Sequence, residues 1–283
     1  MKKSNGVSLH IGLNSVDPAH YAGWSGPLNA CEADAEDMVA IAEHQGFSAT
    51  LLKTGQATRN TVIDGIRNAA KKLSEGDIFF LSYSGHGGQL PDINGDEYDQ
   101  QDETWCLYDG ELIDDELYDL WADFKEEVRI LVLSDSCHSG TVVKAAMASH
   151  FNNEMFARAM AISPDSLKPQ YRAMPNEFAL RTYRQNRSFY DKLMAALPEK
   201  PRPIKAAVRL ISGCQDNQYS LDGPFNGLFT GTLLRVWGEG RFNGNYSRFH
   251  KTIQSNMPST QSPNHYLIGN PNPVYDSQKP FTI

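Results

Sequence analysis

Cysteine is scarce in this chain, long apolar runs are missing, and there is no excess of positive charge. Each absence closes off a class of protein. The 283 residues include four cysteines, Cys31, Cys106, Cys137 and Cys214, and no two of them form a CxxC pair. That excludes the common zinc-binding spacings and offers no disulfide framework, so a reducing, cytoplasmic setting is the natural expectation. No stretch approaches the roughly eighteen apolar residues of a membrane span. The opening MKKSNGVSLHIGLNSVD has two lysines but a broken, polar centre, which argues against a secretory leader. A formal charge of −8 lacks the basic footprint of a general nucleic-acid binder. Neither nucleic acid nor a membrane is expected as a partner. No internal repeat or low-complexity tract is evident.

Hydrophobic residues make up 40% of the chain, enough for a sizeable core. Strand and helix patterns alternate. Residues 7–13, 48–52, 77–82 (DIFFLS), 128–133 (VRILVL) and 208–212 read as strands. Residues 28–45 carry Ala35, Met38, Val39 and Ala42 at helical spacing, with Gly46 as a stop. Thr58 is placed to cap a helix running to Leu73, and residues 114–124 and 227–237 also read as helices. Such alternation predicts one α/β domain over residues 1–283, with a mainly parallel sheet covered on both faces. One segment breaks the rhythm. Residues 144–205 hold eleven Lys or Arg against five Asp or Glu, with six prolines and weak periodicity. The segment reads as a long basic insertion in an otherwise acidic body, and insertions of that length are usually functional or disordered.

Two loops carry the chemistry, because each follows a buried-type strand: IFFLSYSGHGGQ, with His86, and ILVLSDSCHSG, with Cys137. Ligand sites form at the carboxyl ends of parallel strands. The two loops therefore predict that His86 and Cys137 meet although 51 residues separate them. A Cys–His pair is what thiol acyl transfer requires, with the imidazole first taking the thiol proton and later protonating the leaving amine. Gly85, Gly87 and Gly88 leave room for substrate backbone. The N–H groups of Gly87 and Cys137 are candidates for an oxyanion hole. His138 is a rival base, but neighbours on a turn point apart. Cys31, Cys106 and Cys214 read as core or pocket-wall residues, and Ser84 as a pocket residue.

SYSGHGGQ followed by DSCHSG resembles the paired His and Cys boxes of metacaspases and bacterial orthocaspases, in the peptidase C14 group of the caspase-like clan. LNACEADAEDM, the acidic NGDEYDQQDET after the His box, and RLISGCQDNQYS with GLFTGTLL extend the likeness over roughly residues 6–140 and 206–270. The resemblance implies a caspase-like α/β/α sandwich, with residues 6–143 as a large-subunit-like part and 206–283 as a small-subunit-like part. It implies a cysteine endopeptidase acting through a thioester. Asp135, in the metacaspase form of the Cys box, and Asp34, in the early motif, would line the specificity pocket with Cys31 and Ser84. Two carboxylates there favour Arg or Lys before the cut bond.

The likeness also implies a calcium set at Asp102, Asp114 and Asp115, but the fourth family position is Lys144 here. No cofactor is then required for the chemistry, and Ca²⁺ is a possible modulator. The EF-hand frame at residues 92–103 is rejected because Glu97 stands where that loop needs glycine. The basic insertion is expected to be cut, by the chain itself or an upstream protease, converting a zymogen. Lys144, Lys168, Arg172, Arg181, Arg184 and Arg187 are unranked candidates. A catalytically idle scaffold and an acidic Ca²⁺-binding interaction module stay open as alternatives.

Overall fold

The computed structural model describes residues 4–92, 101–137, 170–198, 200–214, 220–223 and 225–283. Six strands form the central sheet: β1 (Gly6–Gly12), β2 (Ser48–Lys53), β3 (Ile78–Ser84), β7 (Arg129–Asp135), β9 (Ala207–Ser212) and β11 (Asn264–Gly269). Their order is β11-β9-β7-β3-β1-β2, with every pair parallel except β11–β9. Side chains alternate across such a sheet. In β3, Phe79 and Leu81 join Ile130 and Val132 on one face, while Ile78 and Phe80 join Leu131 and Leu133 on the other. The first face is covered by α2 (Arg59–Lys72) and α3 (Asp114–Trp121). The second is covered by α1 (Cys31–His44), α6 (Leu228–Trp237) and α7 (Tyr246–Ser255). Burial on both faces is why the central strands read as continuous apolar runs.

Helix boundaries follow the local chemistry. Thr58 caps α2 by accepting from Thr61 N–H. Gly238, at φ 54°, ends α6 in the left-handed conformation that favours glycine. A short final helix, α8 (Pro273–Ser277), starts on Asn272, whose side chain accepts from Tyr275 N–H.

Two features differ from the sequence expectation. The residues after the His box build an antiparallel meander of β4 (Gly87–Pro91), β5 (Gln101–Leu107) and β6 (Gly110–Ile113). An acidic stretch there masked the alternating QDETWCL. Within the insertion, α4 (Asn176–Gln185) and α5 (Arg187–Ala196) form a helical pair where only weak periodicity was legible. The pair is anchored at its turn: Asn186 Nδ2 donates to His20 O at 2.9 Å, and buried Tyr190 Oη lies 2.7 Å from His20 Nε2. A third small sheet pairs β8 (Gln170–Tyr171) antiparallel with β10 (Leu221–Asp222).

Candidate active site

The register of β3 against β7 brings the two boxes together. Ser84 pairs directly with Asp135, and both strands end there. His86 and Cys137 each follow two residues later, so they leave the sheet side by side at the same level. His86 is buried. Its carbonyl is pinned by Cys106 N–H at 2.9 Å and Tyr83 Oη–H at 2.6 Å. Its Nε2 lies 3.0 Å from Gly26 O, and the Trp24 ring packs on it at 4.7 Å between centroids. The Gly26 carbonyl accepts only, so Nε2 carries the proton and Nδ1 keeps its lone pair. Nδ1 is buried without a hydrogen-bond partner. Burial lowers the imidazole pKa to about 4, with the Gly26 hydrogen bond pulling weakly the other way. His86 is therefore neutral at pH 7. The Cys137 thiol is turned to the Ser220 backbone, accepting from Ser220 N–H. The two reactive groups thus converge without a hydrogen bond between them.

What lies between them is the chain's own insertion. Residues 170–174 cross the site, as a strand at Gln170–Tyr171, a bend at Arg172 and a bridge at Ala173. Arg172 N–H donates to Ser220 O at 3.1 Å, and Gly87 forms a parallel bridge with Ala173. The Arg172 carbonyl oxygen accepts from Gly87 N–H at 2.9 Å and from Cys137 N–H at 3.0 Å. These are the two expected oxyanion donors. The Ala173 backbone also bears on the His86 ring.

The Arg172 side chain is fully buried. Nη1 reaches Asp135 Oδ2 at 2.9 Å and Ser84 Oγ at 2.8 Å, and Nη2 reaches Asp34 Oδ2 at 2.7 Å and Asp222 Oδ1 at 2.9 Å. Burial disfavours its charge, but Asp135 and the other acids outweigh it and raise its pKa. Each carboxylate is also held by the body. Asp34 accepts from Ser84 Oγ–H, Asn226 Nδ2–H and Gly227 N–H. Asp135 accepts from Ser220 Oγ–H and from the N–H and hydroxyl of Thr230. Asp222 accepts from Asn29 N–H at 2.7 Å. Burial pushes the Asp34 carboxyl up to about 6 in spite of Arg172. Cys31, also buried against this cluster, has its thiol pushed up by burial. A Cβ at Gly227 would lie 2.6 Å from both Arg172 Nη1 and Asp135 Oδ2, so only glycine leaves the pocket open.

Asp34, Asp135, Cys31, Ser84, Gly87, Cys137 and His86 thus gather around one residue. Asp222 and Ser220 were missed, although Asp222 stands just past the quoted SGCQDNQYS box. Of the processing candidates, Arg172 is in the cleft. Arg181 and Arg184 lie on α4 and Arg187 on α5, while Lys144, Lys168 and the rival base His138 fall outside the described residues. Asp114 and Asp115 open α3 near Asp102 of β5. Burial, and then Glu103, Asp115 and Asp102, raise the Asp114 carboxyl to about 8. Among the described residues no group of three or more His, Cys, Asp or Glu is arranged to hold a metal ion. No helix there is long and apolar enough to cross a membrane.

A mainly parallel sheet that brings a cysteine, a histidine and two converging backbone N–H groups to its carboxyl edge has the arrangement of a caspase fold. The caspase-domain family profile (Peptidase C14) matches residues 16–281, and the chain belongs to that family of caspase-like cysteine proteases. Metacaspase-1 of Schizosaccharomyces pombe is 29% identical over 224 residues, covering 72% of this chain and 50% of that protein. Metacaspase-1 of Saccharomyces cerevisiae strain S288c is 29% identical over 261 residues, covering 81% and 57%. The chain spans about half the length of these curated relatives. The crystal structure of protein GSU0716 from Geobacter sulfurreducens is 55% identical, with TM-score 0.86 and 99% of each chain covered. That coverage includes the insertion for which the sequence motifs offered no counterpart.

Proposed function

We propose that the protein is a cysteine endopeptidase that cleaves after Arg or Lys and holds itself latent until its own Arg172–Ala173 bond is cut. The observation that carries this reading is Arg172, with its guanidinium among three carboxylates and its carbonyl oxygen on two backbone N–H groups. That is the pose of a substrate residue before a scissile bond. Peptide enters as an added strand, antiparallel to β10.

In the reaction the Cys137 thiol gives its proton to His86 Nδ1, and Sγ attacks the carbonyl carbon of the basic residue. The oxyanion that forms is stabilised by the N–H groups of Gly87 and Cys137, which already point at that oxygen. His86 then protonates the departing amine nitrogen as the C–N bond breaks, leaving a thioester. A water molecule, deprotonated by His86, attacks the thioester and releases the carboxylate of the basic residue and the free thiol. The thiol must first turn from Ser220 toward His86 Nδ1, and that turn is the step the latent state has not taken.

Until that happens, segment 170–174 occupies the cleft against any other substrate. After the cut, Arg172 is a mobile carboxyl terminus whose departure opens the pocket. An upstream protease is an alternative cutter. Calcium is at most a modulator, and no step passes through it. A chelator-reversible requirement for millimolar Ca²⁺, lost on Asp102→Ala, would show otherwise.

Intact-mass analysis of the wild type beside Cys137→Ala tests the reading, with hydrolysis of an Arg-coumarin reporter followed in parallel. The wild type yields two fragments that break after Arg172 and gains reporter activity as they appear. Cys137→Ala and His86→Ala stay intact and inactive. An idle scaffold would leave all three chains whole, and a Ca²⁺-binding module would bind without cutting.

A further inference from the structure

The chain beyond Arg172 is held as closely as Arg172 itself. Gly87 brackets the bond after Arg172: its N–H donates to Arg172 O, and its carbonyl accepts from Met174 N–H at 2.8 Å. In extended backbone, residues two apart share a face. Burial alternates in the same way here: Arg172 and Met174 are buried, while Tyr171 and Ala173, on either side of Arg172, are only half-buried. Met174 is 2% exposed and packs with Val16, Tyr21, Cys106 and Trp24.

Resting on the reading that residues 170–174 lie as a substrate, we propose a second specificity pocket on the leaving-group side. It takes a flexible apolar side chain two residues after the cut bond.

The pocket is shaped for such a group. A Cβ on Gly88 would come within 2.9 Å of Met174 Cε and 2.7 Å of Glu111 Oε2, so glycine makes the floor. Tyr21 Oη–H is spent on Leu107 O at 2.6 Å, which leaves it no proton to donate to an incoming acidic group. The Cys106 thiol is buried and takes no part in the chemistry above. An acidic side chain there would be buried without a cation, beside Glu111. The wall completed by Phe178 and Ala179 of α4 stays in place when the bond opens. The helical pair is tied to the body through Asn186, through Gln185 Nε2 to Ala19 O at 2.8 Å, and through Tyr190. The cut frees Ala173–Met174 as a chain end, which yields the pocket to an incoming peptide.

The test uses the full chain, followed until its rate on an Arg-coumarin reporter is steady. That reporter has no residue beyond the cut. Internally quenched peptides identical except for Met, Leu, Gly or Asp two residues after the arginine are then compared by kcat/KM. Burial of one apolar side chain predicts that Met and Leu exceed Asp by about tenfold or more, with Gly between. In the chain itself, Met174→Leu self-cleaves at a rate close to wild type, and Met174→Asp is slowed by a similar factor. Equal kcat/KM for all four peptides overturns the pocket even if the reporter is turned over, and the arginine reading then stands alone. No hydrolysis of reporter or peptides overturns both.

Discussion

Among the described residues two arginines, Arg172 and Arg209, are fully buried, and their surroundings differ. Arg209 sits in the middle of β9, paired through the backbone with Leu131 and Leu267. Its guanidinium lies 4.8 Å from the Tyr246 ring centre and 5.0 Å from that of Tyr275. Nη2 reaches the half-exposed Asp276 at 2.6 Å, and Nη1 meets His265 Nε2. Burial, with Arg209 itself next, holds the His265 pKa down to about 4, so the imidazole accepts as a neutral group. One cation there meets one carboxylate, one neutral imidazole and two aromatic faces, with only Nε left without a hydrogen-bond partner. Arg172 arrives on an insertion segment and meets three buried carboxylates, each already held by donors of the body. An excess of prearranged acid is a poor way to bury a permanent cation. It is an apt way to receive one that comes and goes.

Breaking that contrast gives the largest expected effect. Arg172→Ala should leave no fragment ending at residue 172 on intact-mass analysis, while wild type converts. A fragment pattern unchanged by the substitution would show that another bond is cut. Next comes stability, measured by urea unfolding in a Cys137→Ala background. Arg209→Ala should cost about 2–4 kcal/mol, because truncating a fully buried side chain leaves a cavity against the Tyr246 and Tyr275 rings. Arg172→Ala should cost under about 1 kcal/mol, because the freed pocket opens to water and its carboxylates keep their other donors. Equal losses would make Arg172 a structural residue.

Smaller effects sharpen the picture. Asp222→Asn should lower kcat/KM on Arg reporters by roughly 2–3 kcal/mol in transition-state terms, as expected for losing one buried charge partner. Asp276→Asn, at the solvent edge of the other arginine, should change stability by no more than about 1 kcal/mol. The gentlest is a pH profile. A base whose folded pKa is lowered from 6.5 to about 4 keeps its lone pair as pH falls. Self-cleavage should persist below pH 6 and fade as His86 gains a proton near pH 4. An acid limb centred near 6.5 that stays in place in Asp34→Asn, and so does not belong to the Asp34 carboxyl near 6, would mean that burial does not govern this imidazole.

Much of the site was legible because its residues sit in short boxes tied to strand ends. His86 and Cys137 follow apolar runs whose parallel pairing puts loop tips together, so local pattern implied a long-range contact. Asp34 and Asp135 were readable only through family resemblance. Asp222 was not read, since an acid on a two-residue strand leaves no periodicity and its role exists only against Asn29 and Arg172. The helical pair α4–α5 was hidden by a run of charge and proline. What orders it is packing of Tyr190 and Phe189 against His20, a tertiary effect that overrides weak local propensity.

The sequence by itself determined the alternating α/β sandwich, the two loops that carry His86 and Cys137, and the acidic character of a body bearing a basic insertion. Those properties follow from side-chain period and from which residue types stand after buried strands. Only the tertiary structure decided which of six basic residues enters the pocket, how three carboxylates divide one guanidinium, and that Gly87 holds both sides of the bond. Each of these depends on segments far apart in the chain meeting at fixed distances, and hydrogen-bond geometry of that kind has no one-dimensional signature.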